Sequence, residues 1–375
     1  MGTVRFNKSA FLRVLEMGGQ CAGDGKGLPT MKQVRITIKD NKVKVESNND
    51  ASSVRAFGDC LDAGGNFAFC VGFKELLSYC KAISSDEFAI TSSEQSVTVT
   101  HDGGETTFPS FAAEDFPEAS KPEPGLPQCQ IDGAMLRSWI GSAKDFVIGS
   151  ELRPNLNGIN IAAEDGSLRY SASDSKALIF EEIEFDRQAA FNFIIDVKAF
   201  PALLSIIQSC DMVTVSVSDT AVFMSTPSAK VSVRRTIGKF PNVKSVIPKE
   251  SSSVAVINKE KLDEAIRRIR VSTSNPGARI KFSFSGSLLT LVFEDLINNR
   301  FGKEQLEMKY TGEPLDIAFN IGNFDKCVSA IDCKNISIGM TAYNKPALLL
   351  DADKEERGLC TLLTPVLFNT APATK

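Results

Sequence analysis

The sequence predicts an α+β protein of three tandem modules, each with two helices packed on antiparallel sheets, and three observations predict it. First, Phe116-Pro117 recurs as Phe240-Pro241, about 124 residues further on, and a long internal period marks repeated architecture. Second, apolar residues at helical spacing recur at nearly the same interval. "FNKSAFLRVLEMG" from Phe6, "IDGAMLRSWIGSA" from Ile131 and "INKEKLDEAIRRI" from Ile257 align Leu12 with Leu136 and Leu262. Third, every copy carries hairpin signals. "VRITIKDNKVKVES", "INIAAEDGSLRYSAS" and "IKFSFSGSLLTLVF" are paired alternating runs separated by Asp-Asn, Asp-Gly or Ser-Gly.

The remaining elements follow the same period. "FAFCVGFKELLSYCKAISSDEFAI", "FNFIIDVKAFPALLSIIQSCDMVTV" and "LDIAFNIGNFDKCVSAIDCKNISI" align Phe73 with Phe200 and Phe324, and each reads as strand, helix, strand. Pro201 falls in a first helical turn, where its missing N–H costs little. A module is therefore strand, helix and three strands, then the same again. The Phe-Pro pair closes the first two copies, and "LLTPVLF" closes the third. The predicted modules are 1–126, 127–251 and 252–375, the last with a short C-terminal tail. "KPEPGLPQ" at Lys121 and "PKESSSVA" at Pro248 are the linkers.

Composition bounds the chemistry. Apolar residues at 43% and charged residues at 23% are globular values, and no apolar run approaches the roughly 18 residues a membrane span needs. The N-terminus lacks the basic, apolar and small-residue order of a secretory signal, so the expected location is the cytoplasm. The 9 cysteines include no C-x-x-C pair and read as small buried apolar residues, not as a disulfide framework or a zinc site. His101, the 1 histidine, lies in the turn signal "THDGGE", which leaves no second imidazole for a triad or a histidine metal site. "GGQCAGDGKGLPT" fails the phosphate-loop pattern twice, at Gln20 and at Gly27, and reads as a loop carrying Lys26. Trp139 reads as a helix-packing residue. No catalytic residue, metal or cofactor is expected. A net charge of −4 does not advertise nucleic-acid binding, although an acidic outside around a basic inner wall would escape that test.

Four stretches sit in order on this threefold repeat: "ELRPNLNGI" at Glu151, "SASDSKALIF" at Ser171, "GKFPNVKSVIPK" at Gly238 and "LLTPVLF" at Leu362. From Val4 to Phe368 the chain resembles the bacterial sliding clamps, the β subunits of the replicative DNA polymerase III holoenzyme. The resemblance implies a non-enzymatic processivity factor, with each chain forming half of a ring. Two copies would close head to tail around duplex DNA, with helices lining the hole and sheets outside. It also implies partner peptides of Gln/Leu/Phe type, from polymerase and clamp loader, docking between the second and third modules.

Matching motif to motif, the resemblance places the peptide groove on Leu156, Ser173, Ser175, Lys176, Ala177, Leu178, Pro241, Val246, Asn344, Pro346, Leu363, Thr364, Pro365 and Val366. Short aliphatic and proline walls of that kind suit Leu and Phe anchors. Sequence-independent DNA contacts are expected from Lys26, Lys74, Arg137, Arg153 and Lys198, with Arg13, Lys144, Lys259, Arg267, Arg268 and Arg270 as further candidates. Phe108 and Val271 are the expected dimer contacts, at unpaired sheet edges of the first and third modules. One departure bears on partner choice: Ser173-Asp174-Ser175-Lys176-Ala177-Leu178 stands where the family commonly has T-D-G-H-R-L. The alternative reading is a repeat-built peptide-binding scaffold that does not encircle DNA, and a third is a carboxylate-based hydrolase.

Overall fold

The structure, a computed structural model, describes residues 2–23, 29–49, 51–150, 152–185, 190–208, 211–273, 275, 277–354 and 358–367. In chain order, β1 (Gly2–Asn7) runs into α1 (Lys8–Gly18). β2 (Gln33–Lys39), β3 (Lys42–Asn48), β4 (Ser52–Asp59), the short β5 (Asp62–Ala63) and β6 (Phe67–Gly72) follow. Then come α2 (Phe73–Ala82), β7 (Glu87–Ser92), β8 (Ser96–His101) and β9 (Gly104–Phe111). The order repeats as β10 (Gln128–Asp132), α3 (Gly133–Ala143), β11 (Gly158–Glu164), β12 (Ser167–Ser173), β13 (Ala177–Glu184) and β14 (Phe191–Asp196). After these come α4 (Phe200–Ile207), β15 (Met212–Val217), β16 (Ala221–Ser225) and β17 (Ala229–Arg234). The third pass gives β18 (Ser253–Asn258), α5 (Lys259–Ser272), β19 (Arg279–Ser285), β20 (Leu288–Asp295), β21 (Arg300–Glu307) and β22 (Lys309–Thr311). It ends with β23 (Leu315–Asn320), α6 (Ile321–Ser329), β24 (Asn335–Met340), β25 (Ala347–Asp351) and β26 (Cys360–Leu363).

The switch from strand to helix is written into the last strand residue. Asn7, Asn258 and Asn320 end strands and accept, through their side chains, the N–H of Ala10, Lys261 and Asn323 in the helix that follows. Asp132 does the same for Met135 at the start of α3. Each satisfies one of the N–H groups a helix start leaves without a partner. The hairpins turn as their residues require. Asp40 and Asn41 join β2 to β3, and Asp165 and Gly166 join β11 to β12, all at positive φ.

Two compact units emerge: Met1–Ile140 with Ile195–Thr236, and Gly141–Ile194 with Ile237–Lys375. The first contains a 13-stranded sheet, ordered β10-β15-β16-β17-β4-β3-β2-β6-β9-β8-β7-β1-β5. Helix α1 lies against β3 and β4 so closely that a β-carbon on Gly58 would meet Val14 at 2.5 Å. The second contains a 9-stranded sheet, β14-β11-β12-β13-β26-β25-β24-β18-β22, and a 4-stranded one, β21-β20-β19-β23. Helix α6 rests on the former, where Thr361 donates to the Cys327 carbonyl at 3.2 Å. Trp139 is 2% exposed, in the core as its helical position predicts. Cys21, Cys70, Cys80, Cys129, Cys327 and Cys360 are buried, and burial pushes the thiols of Cys70, Cys80 and Cys327 up to about 12. Those three stay protonated at neutral pH and serve as packing groups.

Candidate functional site

In the second unit, β13 pairs with β26 and β26 with β25, so that Leu178 lies opposite Leu362, Phe180 opposite Cys360, and Leu348 opposite Leu362. Directly opposed residues share a face and alternate residues change it. Thr361 faces α6, so Ile179, Ala177 and Leu363 face the helix layer with it. Leu178, Phe180, Cys360, Leu362, Leu348 and Leu350 form an apolar strip on the other face. Phe240, Val243 and Ile247 pack against that strip. The residues expected in the wall therefore divide between the two faces. Leu363, fully buried, and Ala177 point to the helices, and Leu362 stands beside Leu178 instead.

Four chain segments rim the strip and are tied to one another. Asn155 donates to the Lys239 carbonyl at 3.3 Å, linking the segment that bears Leu156 to the one that bears Pro241 and Val246. Arg153 donates to the Ser175 hydroxyl at 3.1 Å. The Thr364 amide donates to the Lys176 carbonyl and the Val366 amide to the Ala318 carbonyl, both at 2.8 Å, which lays Pro365 along β23. Ser173 and Asp174 shape the loop between: the Ser173 hydroxyl accepts the Ser175 N–H, and Asp174 accepts those of Lys176 and Ala177. Around this frame stand exposed apolar side chains, Leu152, Ile237, Val246, Tyr343 and Leu367. Pro346 is half-buried and Asn344 exposed, just before β25. The strip itself is covered by Phe240, Val243 and Ile247, and the apolar surface open to solvent is that of these rim side chains.

The first unit contains the counterpart of this strand pair, β4 with β17, and there the same positions are polar. Gly58 and Val14 place Val54 and Ala56 on the α1 side of β4. The opposite face pairs Ser53 with Ser232 and Arg55 with Lys230. The two hydroxyls bond at 2.6 Å, and Arg55 donates to the Ser120 carbonyl at 2.7 Å. Leu178/Leu362 and Phe180/Cys360 thus correspond to Ser53/Ser232 and Arg55/Lys230. The nearby Phe116 is 4% exposed in a separate cluster with Cys70 and Ala113, under the Arg35 guanidinium at 5.3 Å from its ring. Only one of the two strand junctions offers an apolar strip.

The expected DNA contacts scatter over several roles. Lys26 lies outside the described residues. Lys74 on α2 and Lys198 just before α4 are exposed. Arg137 is partly buried and donates to the Ile207 carbonyl at 2.8 Å, bracing α3 against the end of α4, while Arg153 serves the rim described above. On α5, Lys259 pairs with Asp263, Arg268 with Glu264 and Glu304, and Arg270 with Asp325. Arg13, Lys144 and Arg267 are exposed, without an ion-pair partner among the described residues. The exposed Arg268–Glu264 pair contributes little to stability, and all of these pairs lower the net positive charge that α5 presents.

Among the strands with unpaired backbone, two bear on the expected dimer contacts. β21 ends the 4-stranded sheet, and β9 pairs with β8 along its length but meets β6 only at Ser110 and Phe111. Val271, Leu296, Ile297 and Phe301, near the β21 edge, are 83%, 83%, 95% and 63% exposed. Phe108 on β9 is half-buried, with its ring edge-on to Tyr79 at 5.6 Å. No group of three or more metal-ligating side chains occurs among the described residues.

Residues 130–242 match the family model described as DNA polymerase III beta subunit, central domain, and residues 244–362 match DNA polymerase III beta subunit, C-terminal domain. The chain is 21% identical to the beta sliding clamp of Pseudomonas aeruginosa over 355 residues, 93% of this chain and 96% of that one. It is 24% identical to the beta sliding clamp of Chlamydia muridarum over 247 residues, 65% of this chain and 67% of the relative. The crystal structure of the DNA polymerase III beta subunit from Thermotoga maritima has the same fold, with TM-score 0.91 at 18% identity over 98% of this chain and 100% of that one.

Proposed function

The chain belongs to the DNA polymerase III beta subunit family, and on that premise we infer that it is a DNA polymerase processivity factor. Two copies close head to tail into a ring around duplex DNA, which slides without sequence preference and tethers its partners. The observation that carries this reading is the run of two consecutive domain matches, over residues 130–242 and 244–362, on a fold shared across the chain. The mechanism is topological. A ring holds DNA by enclosing it, and a polymerase docked on the ring meets the primer end at high local concentration. No bond chemistry, metal or cofactor is required, and the protein is not an enzyme. No described helix is long and apolar enough to cross a membrane, and a role in replication supports the reading of a cytoplasmic protein.

The apolar strip around Leu178 is the proposed dock for partner peptides of polymerase and clamp loader. Strand and helix order support three modules at 1–126, 127–251 and 252–375, which puts the strip at the junction of the second and third. The contrast with the Ser53/Ser232 junction gives a physical reason for one dock per chain: an apolar anchor gains nothing by covering paired hydroxyls and cations. The open edges of β9 and β21 are the proposed surfaces for a second copy, since an unpaired edge is a template for another strand. A ring forms because head-to-tail interfaces close when their rotation closes.

Unloaded protein is expected to bind short linear duplex DNA weakly, with no base preference and with affinity falling steeply as salt rises. Replacing Lys74 and Lys198 together by Ala should weaken that binding about 10-fold at low salt and leave the dimer intact. Fluorescence anisotropy across a salt series checks both. Tight salt-independent binding, or preference for one sequence, contradicts the reading.

A further inference from the structure

We propose that Lys326, on α6 of the third module, is a positioning residue for the peptide groove and acts through Asp174 on the loop that joins the groove's rims. This rests on the groove reading above and names the element that regulates its shape. The Lys326 ammonium donates to the Asp174 carboxylate at 2.6 Å and to the Asp145 carbonyl at 3.3 Å. It also sits 5.2 Å from the centre of the Phe146 ring. The side chains of Lys326 and Asp174 are only 16% and 18% exposed, so the pair is largely out of water.

Asp174 uses its two oxygens for different tasks. Oδ1 accepts the amides of Lys176 and Ala177, each at 2.8 Å, and fixes the turn, while Oδ2 accepts Lys326. At the tip of the turn Ser175 holds φ 73, a left-handed conformation that a side chain disfavours and that persists only where surroundings impose it. From this strained loop run the Ser175 bond to Arg153, at the head of the Leu156 segment, and the Lys176 carbonyl bond to Thr364 on the C-terminal segment. The loop is thus a hub, and one cation from the following module anchors it.

Without that cation a mostly buried carboxylate loses its charged partner, and water can restore it only by drawing Asp174 outward. The turn then relaxes from its left-handed tip, Ser175 leaves Arg153, and both rims of the strip lose their spacing. Lys326 belongs to a part of the chain that makes no rim itself. Its effect on peptide binding is indirect, and its chemistry is that of a fixed charge.

The test uses the full-length dimer and a synthetic peptide with one Gln, one Leu and one Phe anchor, measured by titration calorimetry. Lys326→Met should weaken peptide affinity about 10-fold to 100-fold, and Lys326→Arg should restore most of it. Asp174→Asn keeps an oxygen for the turn amides and removes the ion pair, so it should match Lys326→Met. The double variant should be no worse than either single one. Unchanged affinity in folded Lys326→Met, failure of Lys326→Arg to rescue, or additive losses in the double variant each overturn the positioning role. A wild-type chain that does not bind the peptide overturns the groove reading itself.

Discussion

Leu178→Asp is expected to abolish binding of a Gln/Leu/Phe peptide. Leu178 is 7% exposed at the centre of the strip, between Phe180, Val243 and Leu362. An apolar anchor seated over Leu178 and the exposed rim side chains removes roughly 100 Å² from water, worth about 2.5 kcal/mol, and two anchors support micromolar affinity after ordering costs. A carboxylate in the same place forfeits the anchor and must stay hydrated, which blocks the seat. The expected loss is at least about 100-fold in Kd, measured by calorimetry. Because Leu178 also packs in a cluster, Val246→Asp is the companion variant. Val246 is 53% exposed and its substitution should weaken the peptide about 10-fold without unfolding the chain. Lys230→Glu, at the polar counterpart junction, should change nothing. Full affinity in a folded Leu178→Asp protein would move the dock elsewhere.

The pair Ile297→Asp and Phe301→Asp is expected to convert the dimer into monomer. Both residues are exposed beside the open β21 edge, with Leu296 and Val271 close to them in the chain or across the Arg300 contact to Ser272. Together they form an exposed apolar cluster, which supports the proposal that a second copy covers this edge. Apolar anchors at the centre of an interface commonly carry about 2 kcal/mol each, and two carboxylates there add unpaired charge. The dimer constant should weaken at least about 100-fold, a change sedimentation velocity reads directly at micromolar concentration. Peptide binding should survive, because the strip belongs to other strands. A variant that remains dimeric would remove β21 from the interface, and with it the expected Val271 contact.

Much of the fold was legible because its signals are local. Period-2 runs with Asp-Asn or Asp-Gly between them specify hairpins, and the repeat interval assigns each helix to its place. The caps were equally local: Asn7, Asp132, Asn258 and Asn320 all close a strand and open a helix, a signal present in the sequence and not read from it. The site was legible as segments and not as faces. Leu363 and Leu362 are neighbours in an apolar run, and only the pairing of β26 with β13 decides which one shares a face with Leu178. Arg153, an expected DNA contact, also bonds Ser175, a pairing across 22 residues that no local pattern signals. Lys326 and Asp174 are 152 residues apart, and no local pattern joins them.

The central claim is that the chain holds DNA by enclosing it. The most direct measurement loads the protein onto a nicked circular plasmid, isolates the complex by gel filtration, and follows retention before and after a single cut linearises the DNA. Enclosure predicts that the dimer stays with the circle for many minutes even at raised salt and is lost rapidly once an end exists. Equal retention on circle and line, or loss from both when salt rises, would contradict it.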